Sequence, residues 1–60
     1  MPFYIKNNAG QYRARHGGWG LKDKLNGELA EFHTEQQGTT KMNEISRMTI
    51  QAESIVVVEE

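Results

Sequence analysis

Sixty residues without a cysteine, with seven Lys or Arg against eight Asp or Glu and a net charge of −1, leave neither disulfides nor thiolate metal sites to staple the fold. A chain this short buries only about 60 % of its unfolded surface, so one small domain spanning residues 1–60 is expected, with ~3–5 kcal/mol of net stability and assembly as the remaining staple. The longest apolar run, Ile55-Val56-Val57-Val58, is far below the ~20 residues that cross a bilayer, and Met1-Pro2-Phe3-Tyr4 lacks a signal peptide's pattern. A cytoplasmic chain with no membrane partner is therefore expected.

Along the chain, the first signal is a hairpin over residues 3–16. Asn7-Asn8-Ala9-Gly10 is a turn cluster, and Gly10 suits a left-handed closing position. A four-residue loop sets Ile5 against Tyr12, Phe3 against Ala14, Tyr4 against Arg13 and Lys6 against Gln11. That register gathers Phe3, Ile5, Tyr12 and Ala14 on one face and Tyr4, Lys6, Gln11, Arg13 and Arg15 on the other. A three-residue loop mixes the faces, so the pattern predicts the four-residue one.

His16-Gly17-Gly18-Trp19-Gly20 reads as a loop or bulged crossing around the only tryptophan. Asn26-Gly27 is a tight-turn signal that predicts a hairpin pairing Leu21 with Phe32, Lys22 with Glu31 and Asp23 with Ala30. A helical turn over residues 21–25 is the competing reading, the choice for 21–25 stays open, and a strand over 29–32 is expected in either case. Thr34-Glu35-Gln36-Gln37 fits a capping box, with Thr34 as N-cap and Gln37 reaching back. Met42, Ile45, Met48 and Thr49 form one helical stripe, while Gly38-Thr39-Thr40 weakens the first turns and predicts a helix that starts properly near Thr40. Ser54–Glu59 is β-branched and reads as the closing strand.

The fold class that follows is α+β: a small antiparallel sheet of three to four strands, elements in the order β-β-β-α-β, with one helix packed on one face. One helix covers one face only. The closing strand is apolar on both, with Ile55 and Val57 on one side and Val56 and Val58 on the other, as in strands buried on both faces. Cover for the second face comes from Trp19, from a second copy of the chain or from a partner protein, the alternative being a few exposed valines of the kind any surface carries.

Little in the sequence points to catalysis. His16 and His33 lack the short-spaced partners of a metal site, and neither Ser46 nor Ser54 sits in a nucleophile elbow. Gly17-Gly18-Trp19-Gly20 lacks the Lys-Ser/Thr of a phosphate loop. No enzyme activity, cofactor or metal is expected. Residues 1–24 hold five cations against Asp23, whereas residues 25–60 hold seven glutamates against Lys41 and Arg47, which makes either a two-faced surface or two halves that neutralise each other.

Binding is where the residues point. Tyr4, Lys6, Arg13, Arg15 and Trp19 form a basic aromatic set suited to a protein or to nucleic acid, with Val56 and Val58 as a seam. The glutamates offer a mirror image that could imitate phosphate charge, or simply a solvated face. Phe3-Tyr4-Ile5 near the start, the lone Trp19, the Ala30-Glu31-Phe32 step before the Thr34 cap and the closing Ile55–Val58 run together make a recognisable layout. In it the chain resembles the very short accessory proteins of tailed bacteriophages. That resemblance implies a role in blocking or redirecting a host protein, such as a nuclease, a defence complex or a polymerase, and it carries over no site residues. A protein-binding module is the leading expectation, with a nucleic-acid-binding domain and a homodimer subunit as alternatives.

Overall fold

The computed structural model describes residues 1–48 and 54–60. Four strands and one long helix follow the expected order: β1 (Phe3–Asn7), β2 (Tyr12–Arg13), β3 (Trp19–Gly20), a 3-10 turn at Lys22–Lys24, α1 (Glu35–Met48) and β4 (Ile55–Glu59). The sheet is antiparallel throughout, in the order β3-β2-β1-β4. The small α+β class read from the sequence is the class observed.

The first hairpin has the expected strands but a different register. Lys6 lies opposite Tyr12, one residue away from the pairing that pattern predicts. The reason lies in the loop. The Asn7 N–H donates to the Gln11 carbonyl, the Gly10 N–H donates to the Asn7 carbonyl, and Gly10 takes φ +79°. This is a three-residue loop closed by a left-handed glycine. Asn7 reinforces it, its Oδ1 accepting from the Ala9 and Gln11 N–H groups at 3.0 and 2.9 Å while its Nδ2 donates to Gln11 Oε1. That network allows Asn7 to be buried.

Seven residues later the same geometry recurs. The Ala14 N–H donates to the Gly18 carbonyl, the Gly17 N–H donates to the Ala14 carbonyl, and Gly17 has φ +90°. What reads as a glycine loop is thus a second three-residue hairpin that creates β3.

The Asn26-Gly27 hairpin is absent. Residues 22–24 wind into a 3-10 turn, and the N–H groups of Glu28 and Leu29 both donate to the Leu25 carbonyl, so Gly27 at φ +73° turns the chain out of a helical segment. The helical-turn reading of residues 21–25 is therefore the observed one. Residues 29–32 run extended but contribute only two isolated bridges, Leu29 with Ala14 and Phe32 with Phe3.

The helix starts at Glu35, earlier than Thr40. Thr34 Oγ1 accepts from the Gln37 N–H, and Gln37 Oε1 reaches back to the His33 N–H, one residue beyond the usual capping-box donor. Gly38 is a packing residue rather than a weakness. A Cβ placed there would stand 3.0 Å from Val57 Cγ1 and 3.8 Å from Phe32 Cδ2, so the missing side chain lets the helix backbone come down on β4. The buried stripe runs through Gly38 and Ile45 with Met42 half-buried between them. Met48, assigned to that stripe by spacing, is 83 % exposed, and Thr49 lies outside the described residues.

Ile5, fully buried opposite Val57, sits under the helix at the centre of the core. Complete burial of such a side chain contributes roughly 1.5–3 kcal/mol. No helix among the described residues is long and apolar enough to cross a membrane.

Candidate functional site

Side chains alternate along a strand, so register decides which residues share a face. The helix lies on the face of Val57 and Ile5. The opposite face carries Tyr4 and Lys6 from β1, Tyr12 from β2, and Val56 and Val58 from β4, with Lys6 opposite both Tyr12 and Val56 and Tyr4 opposite Val58. Among the described residues no helix or strand packs on it, and Lys22, Leu25 and Glu60 bury Tyr4 and Tyr12 while leaving Val56 exposed. The margin of the face is closed by the segment after β3. Gly20, opposite Tyr12, has no side chain, so Leu25 folds against it; a Cβ at Gly20 would stand 3.0 Å from Leu25 Cδ2.

At the centre, the rings of Tyr4 and Tyr12 meet edge to face, with centroids 6.1 Å apart and planes at 84°. Lys22, carried in by the 3-10 turn, holds its ammonium 4.9 Å from the Tyr4 ring centre and 5.7 Å from that of Tyr12, and Lys6 approaches the Tyr12 ring at 5.5 Å. Such contacts let a cation lie along an aromatic surface that would otherwise be bare. Glu60 ties the cluster together: Lys22 Nζ donates to its Oε1 at 2.8 Å, and the Tyr12 hydroxyl donates to its Oε2 at 2.7 Å. The Tyr4 hydroxyl donates to Glu31 Oε1 at 3.3 Å.

The protonation states follow from these contacts. The hydrogen bond from Lys22, then that from Tyr12, holds the Glu60 carboxyl below its ordinary range. The same bond to Glu60 raises the Lys22 ammonium. Tyr12 is raised first by its hydrogen bond to Glu60 and Tyr4 first by desolvation, so both phenols remain protonated at neutral pH. Neither is a base or a nucleophile. Among the described residues no group of three or more His, Asp or Glu gathers where it could hold a metal ion.

The arrangement offers two rigid phenols, a valine strip of which Val56 is 52 % exposed, and charges already fixed by partners. The expected cover by Trp19 is not what closes it, because Trp19 lies opposite Arg13, and the one-residue register puts that pair on the helix side of the sheet. There the Arg13 guanidinium lies 5.4 Å from the Trp19 ring centre rather than against Tyr4, the residue that the expected register set opposite it.

The seven residues singled out from sequence therefore divide. Tyr4, Lys6, Val56 and Val58 come together on the open face. Arg13 and Arg15 border a separate cleft of about 490 Å3 that Phe32, His33 and Lys41 also line, and Trp19 stacks beside it. Among the described residues neither arginine has a carboxylate ion-pair partner. Tyr12, Lys22 and Glu60 were not foreseen in the face. Tyr12 was legible from the three-residue loop that Asn7 and Gly10 build. Lys22 and Glu60, 38 residues apart, leave no local signal. Their pairing, with that of His16 and Glu28 at 3.7 Å, shows that the basic and acidic halves interleave rather than form two faces.

No family model, curated protein or solved structure matches this chain.

Proposed function

We propose that this chain is a small protein-binding module whose contact surface is the open face of the sheet, with Val56, Val58 and Lys6 as its accessible part over the buried Tyr4 and Tyr12. The observation that carries this reading is the exposed Val56 beside the half-buried Val58, on a face whose buried Tyr4 and Tyr12 are held by Lys22, Glu60 and Glu31. Buried rings with bonded hydroxyls make a firm platform under Val56, so little freedom is lost when a partner covers it. Lys22 and Glu60 pair with each other and Lys6 lies along the Tyr12 ring, so a partner surface that is apolar with an acidic rim suits the face. Together with the resemblance to short phage accessory proteins, this supports a cytoplasmic role as an inhibitor or modulator that occludes a host protein.

Nucleic-acid binding is the second reading, and the cleft between Arg13, Arg15 and Lys41 is the observation that favours it. It is the weaker one. The register separates these cations from Tyr4 and Tyr12, which leaves Trp19, already stacked on Arg13, as the large ring beside them.

The two readings part in a pull-down from nuclease-treated bacterial lysate. On the protein-binding reading, wild type and the Arg13→Ala/Arg15→Ala double variant both retain a stoichiometric host protein, and Val56→Glu loses it. Salt then weakens the complex mainly through its rate of formation. Capture that depends on the two arginines, disappears with nuclease and falls by about one logarithmic slope unit per phosphate contact would assign the function to nucleic acid instead.

A further inference from the structure

The outer edge of β4 is a second surface, distinct from the open face. In an antiparallel ladder the backbone groups of alternate residues point to opposite sides. The Glu60 N–H donates to the Pro2 carbonyl at 3.1 Å, which directs the groups of Val58 and Val56 towards β1 and those of Ile55, Val57 and Glu59 outward. On the far side of β1, Phe3 exchanges both of its bonds with Phe32, and the Asn7 N–H bonds the Gln11 carbonyl, so the alternation holds across the sheet. β4 is the last strand in the order, and among the described residues none pairs with its outer edge.

Edges of this kind are normally blunted by charged side chains, a proline, a bulge or very short length. Ile55-Val56-Val57-Val58-Glu59 has no proline or bulge, carries its one charge at the last residue, and pairs with β1 over all five residues. The opposite edge, β3, is only two residues long.

We infer that β4 pairs antiparallel with β4 of a second copy, about a two-fold axis at Val57, to make a dimer with one continuous eight-stranded sheet. The carboxylates select both the occupant and the register. Centring on Val57 places Val56 against Val58 of the other copy and Ile55 against its Glu59. The two Glu59 side chains then stand four residues apart, ~13 Å at the rise of a strand and beyond the screening length in physiological salt. Parallel pairing, or a slip towards the C-terminal side, brings like charges together instead. The strand thus carries its own complement, apolar against apolar, with its acid opposite an isoleucine. The exposed Val56 gains a neighbour, and the two open faces become one surface with a valine seam between two tyrosine clusters. A five-residue pairing buries less than a standard interface of about 1,600 Å2, so dissociation is expected in the micromolar range. This dimer stands whether or not the open face binds another protein.

The test is sedimentation equilibrium of the chain alone, from about 1 µM to about 1 mM. The mass should rise from that of one chain to that of two. A synthetic chain with the Val57 amide N-methylated removes an outward N–H that no internal pairing uses, so it should keep its circular dichroism while its dissociation constant rises at least tenfold. Methylating Val58 instead, whose N–H points towards β1, should unfold the chain. Should the Val57-methylated chain fail to fold, Val56→Lys reads the same interface by placing a charge at the seam, and it should weaken association to a similar degree. A monomer across the whole range, or association unchanged in both Val57-methylated and Val56→Lys chains, would overturn the inference.

Discussion

Replacing Gly38 by alanine sets two effects against each other at one carbon. Helix propensity alone favours alanine by up to ~1 kcal/mol, and a gain of 1 kcal/mol would raise Tm by roughly 4–8 °C in a domain this small. Packing opposes it. The new methyl would stand 3.0 Å from Val57 Cγ1 and 3.6 Å from Cγ2, whereas carbons rest at about 3.5–4.0 Å. Val57 is β-branched and stiff at χ1, and the fully buried Ile5 lies opposite it, so the strain is relieved chiefly by lifting the helix off the sheet. Overpacking of this kind costs about 1–3 kcal/mol. The net expectation for Gly38→Ala is a loss of about 1 kcal/mol and a Tm lower by roughly 4–8 °C. Val57→Ala removes both opposing methyls, so in that background Gly38→Ala should stabilise. The coupling between the two sites should be about 2 kcal/mol, within the range of residues in contact. Thermal and urea unfolding of the four chains, followed by circular dichroism, measures it. Equal stabilisation by Gly38→Ala in both backgrounds would refute the close approach of helix and sheet.

Asn7→Ala should cost roughly 2 kcal/mol in urea unfolding, because it strands the Ala9 and Gln11 N–H groups inside the loop, while Asn7→Asp keeps the acceptor and should cost less. Gly10→Ala and Gly17→Ala should each lose about 1–2 kcal/mol at their left-handed positions, and asparagine at either should recover part of that loss in thermal melts. Stability should have two pH limbs. Glu60 is held below its ordinary value of 4.5, so its contribution is present above that value and is lost as pH falls through the depressed folded value, a limb that Glu60→Gln should flatten. Tyr4, Tyr12 and Lys22 are raised, so their contributions are complete below their ordinary values of 10.0 and 10.5 and vanish as pH climbs through the raised ones. Urea midpoints across pH would show both limbs, and a midpoint insensitive to pH in wild type would contradict the Lys22–Glu60–tyrosine network.

What the sequence made legible was local. The capping residues Thr34 and Gln37, the β-branched run of β4 and the first turn each announce themselves within a few residues, whereas the third strand, expected at 29–32, lies at Trp19–Gly20. The register of the first hairpin was misread because the pattern argument allowed only one buried face. Tyr4 and Tyr12 are buried on the open face with their hydroxyls hydrogen-bonded, while Ile5 is buried on the helix face, so sorting by polarity put Tyr12 on the wrong side. The spacing of Asn7 and Gly10, repeated at Ala14 and Gly17, was the better guide, since backbone hydrogen bonds fix a three-residue loop whatever the side chains prefer. Gly38 misled for a similar reason: propensity counts its cost to the helix and cannot see Val57 beneath it. Lys22 and Glu60 meet only once the sheet has formed.

The central claim, that the open face binds protein, is tested most directly by photocrosslinking from within it. A benzophenone side chain at position 6 lies between Val56 and Tyr12, and the same group at position 15 reports on the arginine cleft. In nuclease-treated bacterial lysate the account predicts a crosslink to one host protein from position 6 and none from position 15. A crosslink from position 15 alone would move the binding surface to the cleft and contradict the account.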